Sequence, residues 1–227
     1  MGPNDPETNW LINILEDRFF MFSPHPRSRV RLENISLDWF NLGGFDKMQP
    51  YYLGYPDFYL QRDQVPNFLR GFFNTLAVIA DRQNLSFQEE LGGSGGQPQK
   101  THEEARFLQQ LRMMLIMESG QDLFLTRGTP RSWLEDGKHI AMRQAPTYFG
   151  EVSFRIQSLA NQGRLEATVQ PPSRSQPAQI YLGLRHPKQA PLKRVLVNGR
   201  RWSEFDPTKE RISLPVNAGE IKVQAFY

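Results

Sequence analysis

The sequence predicts an α+β protein in which a helical region precedes an antiparallel β-sandwich. In the first half of the chain, apolar side chains recur at every third or fourth position, the spacing of an amphipathic helix. From about Leu123 onward they recur at every second position, as in strands with one buried face. Runs of strands that follow runs of helices favour separate layers or domains over βαβ alternation. We therefore expect a helical region over residues 1–118 and a sandwich over residues 119–227.

The composition indicates a globular chain with a packed core. Its 227 residues are 39% hydrophobic and 12% aromatic, and it has no cysteine, which excludes disulfides and thiolate metal sites. No run of about 18 apolar residues is present, so we expect no membrane partner. The chain does not open on a basic segment followed by an apolar run, so we expect no signal peptide within it.

Charge is distributed unevenly between the two predicted regions. Residues 121–227 carry 16 Lys+Arg and 9 Asp+Glu, whereas residues 1–120 carry 11 and 15. The basic residues fall singly between strand positions and form no stripe or recognised motif. This pattern indicates solvated sheet faces and loops, and we expect no nucleic-acid partner.

Two helices are predicted ahead of the glycine run. Asp5-Pro6 provides a cap and a first-turn proline before apolar residues at helical spacing up to Phe19. The stretch Leu37–Tyr59 is aromatic and turn-rich, and we expect no regular helix there. A second helix begins near Asp63, and its many phenylalanines predict packing against large neighbours. Its expected apolar face consists of Val65, Phe68, Leu69, Phe72, Phe73, Leu76 and Ile79.

A third helix is predicted directly after the glycine run Gly92–Gly96, which we interpret as a mobile loop within the helical region. Thr101 and Glu104 have the spacing of a capping box at the start of this helix. Its expected apolar face consists of Phe107, Leu108, Leu111, Met114 and Leu115.

Seven short strands are predicted in the second region, with turn signals between them, as in an antiparallel sandwich. Asn198-Gly199 has the composition of a two-residue hairpin turn. The predicted strands are Leu123–Thr126, Ser153–Leu159, Arg164–Val169, Ile180–Arg185, Arg194–Val197, Arg211–Leu214 and Glu220–Phe226.

No self-sufficient catalytic or cofactor motif is present. The sequence has no phosphate-binding loop, no H-E-x-x-H and no G-x-S-x-G. We expect neither a cofactor nor a metal site, because the histidines are dispersed. They are His25, His102, His139 and His186.

Four carboxylates flank the glycine run, namely Glu89, Glu90, Glu103 and Glu104. Cleavage of a glycosidic bond needs two carboxyl groups, one to donate a proton and one to act as base or nucleophile. Pairs on a mobile loop and at a helix start could supply them. The alternative is structural, since acidic residues stabilise the first turn of a helix and Glu104 can bond back to its cap.

Aromatic side chains are concentrated in the irregular stretch before the second helix, together with several aspartates. Sugar rings stack on aromatic faces while their hydroxyls bond to carboxylates and amides, so this mixture suits a saccharide cleft. An aromatic core layer with tyrosine hydroxyls at its rim remains the alternative. The aromatic residues are Trp39, Phe40, Tyr51, Tyr52, Tyr55 and Tyr59.

A series of segments resembles the C-terminal region of bacterial (α/α)6-toroid glycoside hydrolase-like proteins. The segments similar to the end of the toroid are Asp38-Trp39-Phe40-Asn41, Gly43-Gly44-Phe45, Gln49-Pro50-Tyr51-Tyr52, Phe73-Asn74 and Lys100-Thr101-His102-Glu103. The segments similar to the closing sandwich are Pro130–Lys138, Ala145–Gly150, Leu184–Pro187 and Val197-Asn198-Gly199.

This resemblance implies an extracytoplasmic enzyme, periplasmic or extracellular, that acts on polysaccharide or oligosaccharide. It also implies that most of the toroid lies upstream of Met1, so that this chain is a C-terminal fragment. Glu103 and Glu89 match the acidic positions near the family's cleft. His102 and Tyr52 match its polar neighbours, with Tyr51 and Trp39 as further sugar contacts.

Two functions stay open from the sequence. In the first, the chain is a glycoside hydrolase fragment with Glu103 or Glu89 as acid/base and Tyr51 and Tyr52 as sugar platforms. In the second, it is a non-catalytic module that binds saccharide or braces a catalytic partner. Coordinates that place Glu89 and Glu103 about 5–10 Å apart in one cleft would favour catalysis.

Overall fold

The structure, a computed structural model, describes residues 55–81, 84–87, 99, 101–217 and 219–227. The chain divides into two compact units, Met1–Leu111 and Arg112–Tyr227. This division falls before the boundary at residue 118 that the sequence suggested. The helix predicted to follow Asp5-Pro6 lies outside the described residues.

The described part of the first unit contains helices α1 (Tyr55–Gln61), α2 (Val65–Ile79) and α3 (Thr101–Leu115), whose end passes the unit boundary. Helices α2 and α3 confirm the two helical predictions, and α2 has a proline in its first turn as expected. Helix α1 was not expected, because its aromatic residues obscured the helical spacing. Three described helices are too few to define a toroid, so that part of the fold stays a prediction.

Phenylalanines form the packing between α2 and α3. Phe72 stacks on Phe107 with ring centroids 5.4 Å apart, and Phe68 and Phe87 extend the cluster. The expected packing of the α2 phenylalanines against large neighbours is therefore confirmed. Two residues assigned to apolar faces are instead exposed, Phe73 at 41% and Leu108 at 61%. Each directly follows Phe72 or Phe107, so the 100° step between helix neighbours turns it away from the aromatic cluster.

A small two-stranded hairpin, β1 (Ala80–Asp81) with β2 (Ser86–Phe87), follows α2. The sequence predicted only helices before the glycine run, so this hairpin is a correction. Its turn is held by Asp81, whose carboxylate accepts hydrogen bonds from the backbone and side-chain amides of Asn84. Such short polar side chains favour turns by bonding nearby backbone groups.

The second unit consists of two sheets. The six-stranded sheet has the order β10-β9-β13-β7-β6-β5, and the five-stranded sheet has the order β11-β12-β8-β4-β3. The strands are β3 (Ile116–Ser119), β4 (Asp122–Leu125), β5 (His139–Thr147), β6 (Gly150–Leu159), β7 (Arg164–Gln170), β8 (Gln179–Gly183), β9 (Arg194–Val197), β10 (Arg200–Trp202), β11 (Phe205–Asp206), β12 (Arg211–Leu214) and β13 (Ile221–Phe226).

One hydrophobic core joins the two sheets, which makes the unit a β-sandwich. Side chains alternate between this core and the outside along each strand. In β6, for example, Val152, Phe154 and Ile156 point into the core between outward-facing polar residues. The seven predicted strands are present with small shifts at their ends. Strands β3, β5, β10 and β11 were not predicted.

The expectation of a purely antiparallel sandwich is corrected at one pair, because β4 runs parallel to β8. Parallel neighbours cannot be joined by a tight hairpin and need a long crossover. Here the chain leaves the five-stranded sheet after Leu125, builds β5, β6 and β7 in the other sheet, and returns at Gln179. The remaining described pairings in both sheets are antiparallel.

The predicted turn at Asn198-Gly199 joins β9 to β10. Both residues have positive φ, 51° and 77°, as a type I′ hairpin turn requires. The Asn198 side chain also accepts a hydrogen bond from the backbone amide of Lys222, which attaches the turn to β13.

Candidate functional site

The structure describes the surroundings of one predicted catalytic residue, Glu103. His102 precedes it in helix α3, and the position of the His102 side chain is not part of the description. The other predicted site residues, Glu89, Trp39, Tyr51 and Tyr52, lie outside the described residues. The separation of Glu89 from Glu103 therefore stays untested.

Glu103 lies on a polar face of α3 that contacts α1. Arg106 Nη2 donates to Asp57 Oδ2 at 2.7 Å, and Gln110 Nε2 donates to Asp57 Oδ1 at 3.1 Å. Glu103 precedes Arg106 by three positions and therefore shares its helix face. We call Asp57, Glu103, Arg106 and Gln110 the α1–α3 polar cluster. Asp57, Glu103 and Gln110 are buried, with at most 2% of each residue exposed.

The α1–α3 polar cluster combines two buried carboxyl groups with one cation. Asp57 already accepts hydrogen bonds at both oxygens, one of them from a guanidinium. A carboxyl group with both oxygens engaged is suited to bracing α1 against α3. Glu103 is the carboxyl group of this cluster to which the sequence assigned proton transfer.

A second candidate site lies on the outer face of the six-stranded sheet. A groove of about 420 Å³ runs over β5, β6 and β7, and we call it the open-face groove. The exposed Ala141 also lines the groove, and the adjoining strand positions Met142 and Phe154 direct their side chains toward the core. Its polar lining consists of Arg143, Gln144, Ser153, Arg155, Thr168 and Gln170.

The open-face groove depends on a β-bulge in β5. The pairing of β5 with β6 shifts register between Met142 and Ala145, and Gln144 adopts a left-handed conformation with φ 49°. Its backbone amide donates to Ser153 Oγ at 2.9 Å, so the bulge is fixed to β6 by a side chain. A bulge bends its strand locally and redirects side chains.

Cross-strand register assembles the rest of the lining. Arg155 of β6 lies opposite Thr168 of β7, and Ser153 lies opposite Gln170. On the far side of β7, Thr168 lies opposite Lys222 of β13. Residues opposite each other on one face are close enough to act on the same ligand.

An exposed aromatic ring lies at the end of the same hairpin. Tyr148, in the turn between β5 and β6, is 75% exposed. Its backbone is held on both sides, because Arg174 donates to its carbonyl at 2.7 Å and its amide donates to Glu118 at 3.3 Å. A fixed backbone with an exposed ring provides a flat surface on which a sugar could stack.

Glu118 anchors this turn to β3. Arg112 donates to both Glu118 oxygens at 2.8 Å and to the Pro146 carbonyl at 2.7 Å. Burial alone would raise the pKa of Glu118, but the hydrogen bond and positive charge of Arg112 outweigh it and lower this pKa below its ordinary value.

A partly buried ionic network in the sandwich has a structural role. Arg131 makes a bidentate pair with Glu210 at 2.7 and 2.8 Å, and Arg185 reaches the same carboxylate at 3.4 Å. Arg185 also donates to the Thr129 carbonyl at 3.1 Å. Burial lowers the pKa of Arg185 and raises that of Tyr227, whose hydroxyl donates to the Leu184 carbonyl. These hydrogen bonds connect the loops at this end of the sandwich to one another.

Sequence reasoning missed the open-face groove because its residues are ordinary polar positions of exposed strand faces.

Within the described ranges, no three His, Asp or Glu side chains converge as a metal site would require. No helix in the described part of the chain is long and apolar enough to cross a membrane.

Comparisons with known proteins give structural similarity without a sequence match. No protein-family model matches the chain, and no curated protein sequence matches it. A solved structure named "Glycoside hydrolase" aligns with 88% of this chain and 31% of its own, at 9% identity and a TM-score of 0.37. The chain thus spans less than a third of the length of that protein. A similarity this low defines neither fold nor function.

Proposed function

We propose that this chain belongs to a carbohydrate-active protein and that its sandwich unit binds saccharide in the open-face groove. The observation that supports the proposal is the lining of the groove, in which guanidinium, amide and hydroxyl groups lie around the small apolar side chain of Ala141. Sugars present hydroxyl groups in several directions around an apolar ring, so they need such a mixed lining.

Saccharide binding can be tested with the full chain and a panel of soluble polysaccharides, measured by isothermal titration calorimetry. We expect the double variant Thr168→Val/Gln170→Ala to weaken binding at least tenfold, since two hydrogen bonds of about 1 kcal/mol each are lost. Gln224→Ala is the matched control, because Gln224 occupies the same open sheet face and bonds to Glu166 instead. Equal affinity in the double variant and the wild type would contradict the proposal.

A second candidate function is glycoside hydrolysis by the helical unit, with Glu103 as acid/base and Glu89 as its partner. The full burial of Glu103 on a helix face shared with Arg106 and Gln110 favours this candidate over a solvated first-turn glutamate. Its sugar contacts would be Tyr51, Tyr52, Trp39 and His102. The upstream toroid and an extracytoplasmic location belong to the same proposal.

Hydrolysis is tested by measuring the rate at which the wild type, Glu103→Gln and Glu104→Gln cleave the polysaccharides that the chain binds. We expect Glu103→Gln to lower the rate by a factor of roughly 10² to 10⁴, the usual contribution of a general acid or base. Glu104→Gln should retain activity, because Glu104 is only half-buried at the same helix start. Hydrolysis by Glu103→Gln at the wild-type rate would remove Glu103 from the mechanism.

A further inference from the structure

Among the described residues, no carboxylate pairs with the two arginines of the open-face groove. Arg143 and Arg155 line the groove, and none of its lining residues is acidic. Arg155 makes a long contact of 3.4 Å to Gln157, and neither guanidinium forms an ion pair with a described residue. Both side chains are exposed, so their donors are available to a ligand.

On the surrounding sheet face, the charged groups nearest the two arginines have other partners. Lys222, in the row of Arg155 and Thr168, pairs with Glu220 at 3.6 Å. Glu166 is the nearest acidic residue on β7, and it is already held by Arg164 at 3.2 Å and by Gln224 at 2.9 Å. Glu151, two residues before Ser153 on β6, lies outside the lining of the groove.

Arginine recognises planar or branched anions, because its fork of donors matches the two oxygens of a carboxylate or sulfate. The amide and hydroxyl groups beside the two arginines suit neutral sugar hydroxyls. We infer that the open-face groove is selective for an acidic saccharide, one that carries carboxylate or sulfate groups. This inference rests on the proposed function and specifies the ligand of the same groove.

The test compares polymers that share a backbone and differ in charge, with the full chain in calorimetric titrations at low and moderate salt. One pair is polygalacturonate and its highly methyl-esterified form, and the other is dextran sulfate and dextran. We expect the acidic member of at least one pair to bind tenfold or more tightly, with affinity falling as salt rises. The pair that responds identifies carboxylate or sulfate as the recognised group.

Two variants test whether the arginines of the groove cause this selectivity. Arg143→Gln/Arg155→Gln should bring the affinity ratio of acidic to neutral polymer close to one. Arg200→Gln is the matched control, because it removes an exposed cation from β10, at the opposite edge of the same sheet. It should leave the ratio unchanged, and thermal unfolding of all variants verifies that they are folded.

The outcomes separate the inference from the proposed function. Equal binding of acidic and neutral polymers would overturn the inference and leave saccharide binding intact. Binding of none of the panel would contradict saccharide binding and the inference together. Competition by duplex or single-stranded DNA at concentrations equal to the acidic polymer would also overturn the inference, since it would show a general polyanion surface.

Discussion

Asp57 is a buried carboxyl group that accepts hydrogen bonds from two side chains of helix α3. One of them is the guanidinium of Arg106, whose side chain is 12% exposed. Removing Asp57 takes the carboxylate partner away from a guanidinium that is largely shielded from water, and breaking such a pair is strongly destabilising. We expect Asp57→Ala to destabilise the helical unit by about 3–5 kcal/mol, measured by urea unfolding followed by circular dichroism.

Glu135→Ala provides the comparison for this prediction. Glu135 pairs with Lys138 at 2.7 Å, but both side chains are more than half exposed. An exposed pair of this kind contributes about 0–1 kcal/mol. If Asp57→Ala cost no more than Glu135→Ala, the α1–α3 polar cluster would not contribute to the stability of the helical unit.

The contribution of Glu118 to the stability of the fold should depend on pH. Because its pKa is lowered in the folded protein, the ionised form stabilises the fold. This stabilisation is fully present above the ordinary glutamate pKa of about 4.3 and is lost as pH falls through the lowered value. We expect the difference in Tm between wild type and Glu118→Gln to be largest at neutral pH and to close in acid.

Thermal unfolding over a pH series measures this difference. Glu151→Gln is the control, since the exposed Glu151 forms no ion pair with a described residue. A Tm difference for Glu118→Gln that is the same at neutral and acid pH would show that the Arg112 pair does not depend on the charge of Glu118.

At the scale of elements, the parallel pair β4–β8 depends on a glycine. A Cβ at Gly183 would lie 2.8 Å from the Thr126 carbonyl oxygen, and Thr126 Oγ1 donates to the Gly183 carbonyl at 2.6 Å. The backbone of Thr126 is already left-handed, with φ 53°. We expect Gly183→Ala to destabilise the sandwich by about 1–3 kcal/mol in urea unfolding, because the backbone must separate.

Gly219→Ala is the matched control, since a Cβ at Gly219 meets nothing within 4 Å. It should change the free energy of unfolding by no more than about 0.5 kcal/mol. Equal effects of the two substitutions would mean that the close approach of β8 to Thr126 is relieved at no cost.

The helices and strands that the sequence predicted are those in which apolar residues repeat at a constant spacing. Strands β6 and β7 alternate cleanly, and apolar residues recur at helical spacing along α2 and α3, so local spacing was sufficient to predict these elements. Strand β5 was missed because its bulge and Pro146 interrupt the alternation. Strand β3 was missed because Ile116 and Met117 continue the apolar run of α3 without a turn signal.

At the scale of the whole molecule, the sequence predicted the change from helices to strands but not the open-face groove. The groove requires that Arg155 meet Thr168 and that Ser153 meet Gln170, which is a matter of register between strands. Register depends on turns and on the whole buried face, so spacing within one strand does not reveal it. Glu103 was proposed from the sequence because it flanks the glycine run at a predicted helix start, and its catalytic role stays a prediction.

The continuous core predicts that the sandwich unit folds alone. All of its fully buried apolar residues, from Ile116 to Ala225, lie within Arg112–Tyr227. A fragment of residues 112–227 should therefore unfold cooperatively in urea and should bind the same polysaccharides as the full chain. A second fragment, residues 119–227, serves as the comparison, because it begins at the domain boundary that the sequence predicted.

Fragment 119–227 lacks almost all of β3 and the Arg112–Glu118 pair. It loses the buried side chains Ile116 and Met117, each worth about 1.5–3 kcal/mol, from a stability of about 5–15 kcal/mol. It also leaves β4 as an unpaired edge, which favours aggregation. We expect it to be at least 3 kcal/mol less stable than fragment 112–227, or insoluble. Equal stability of the two fragments would show that β3 is dispensable and that the sandwich begins at β4.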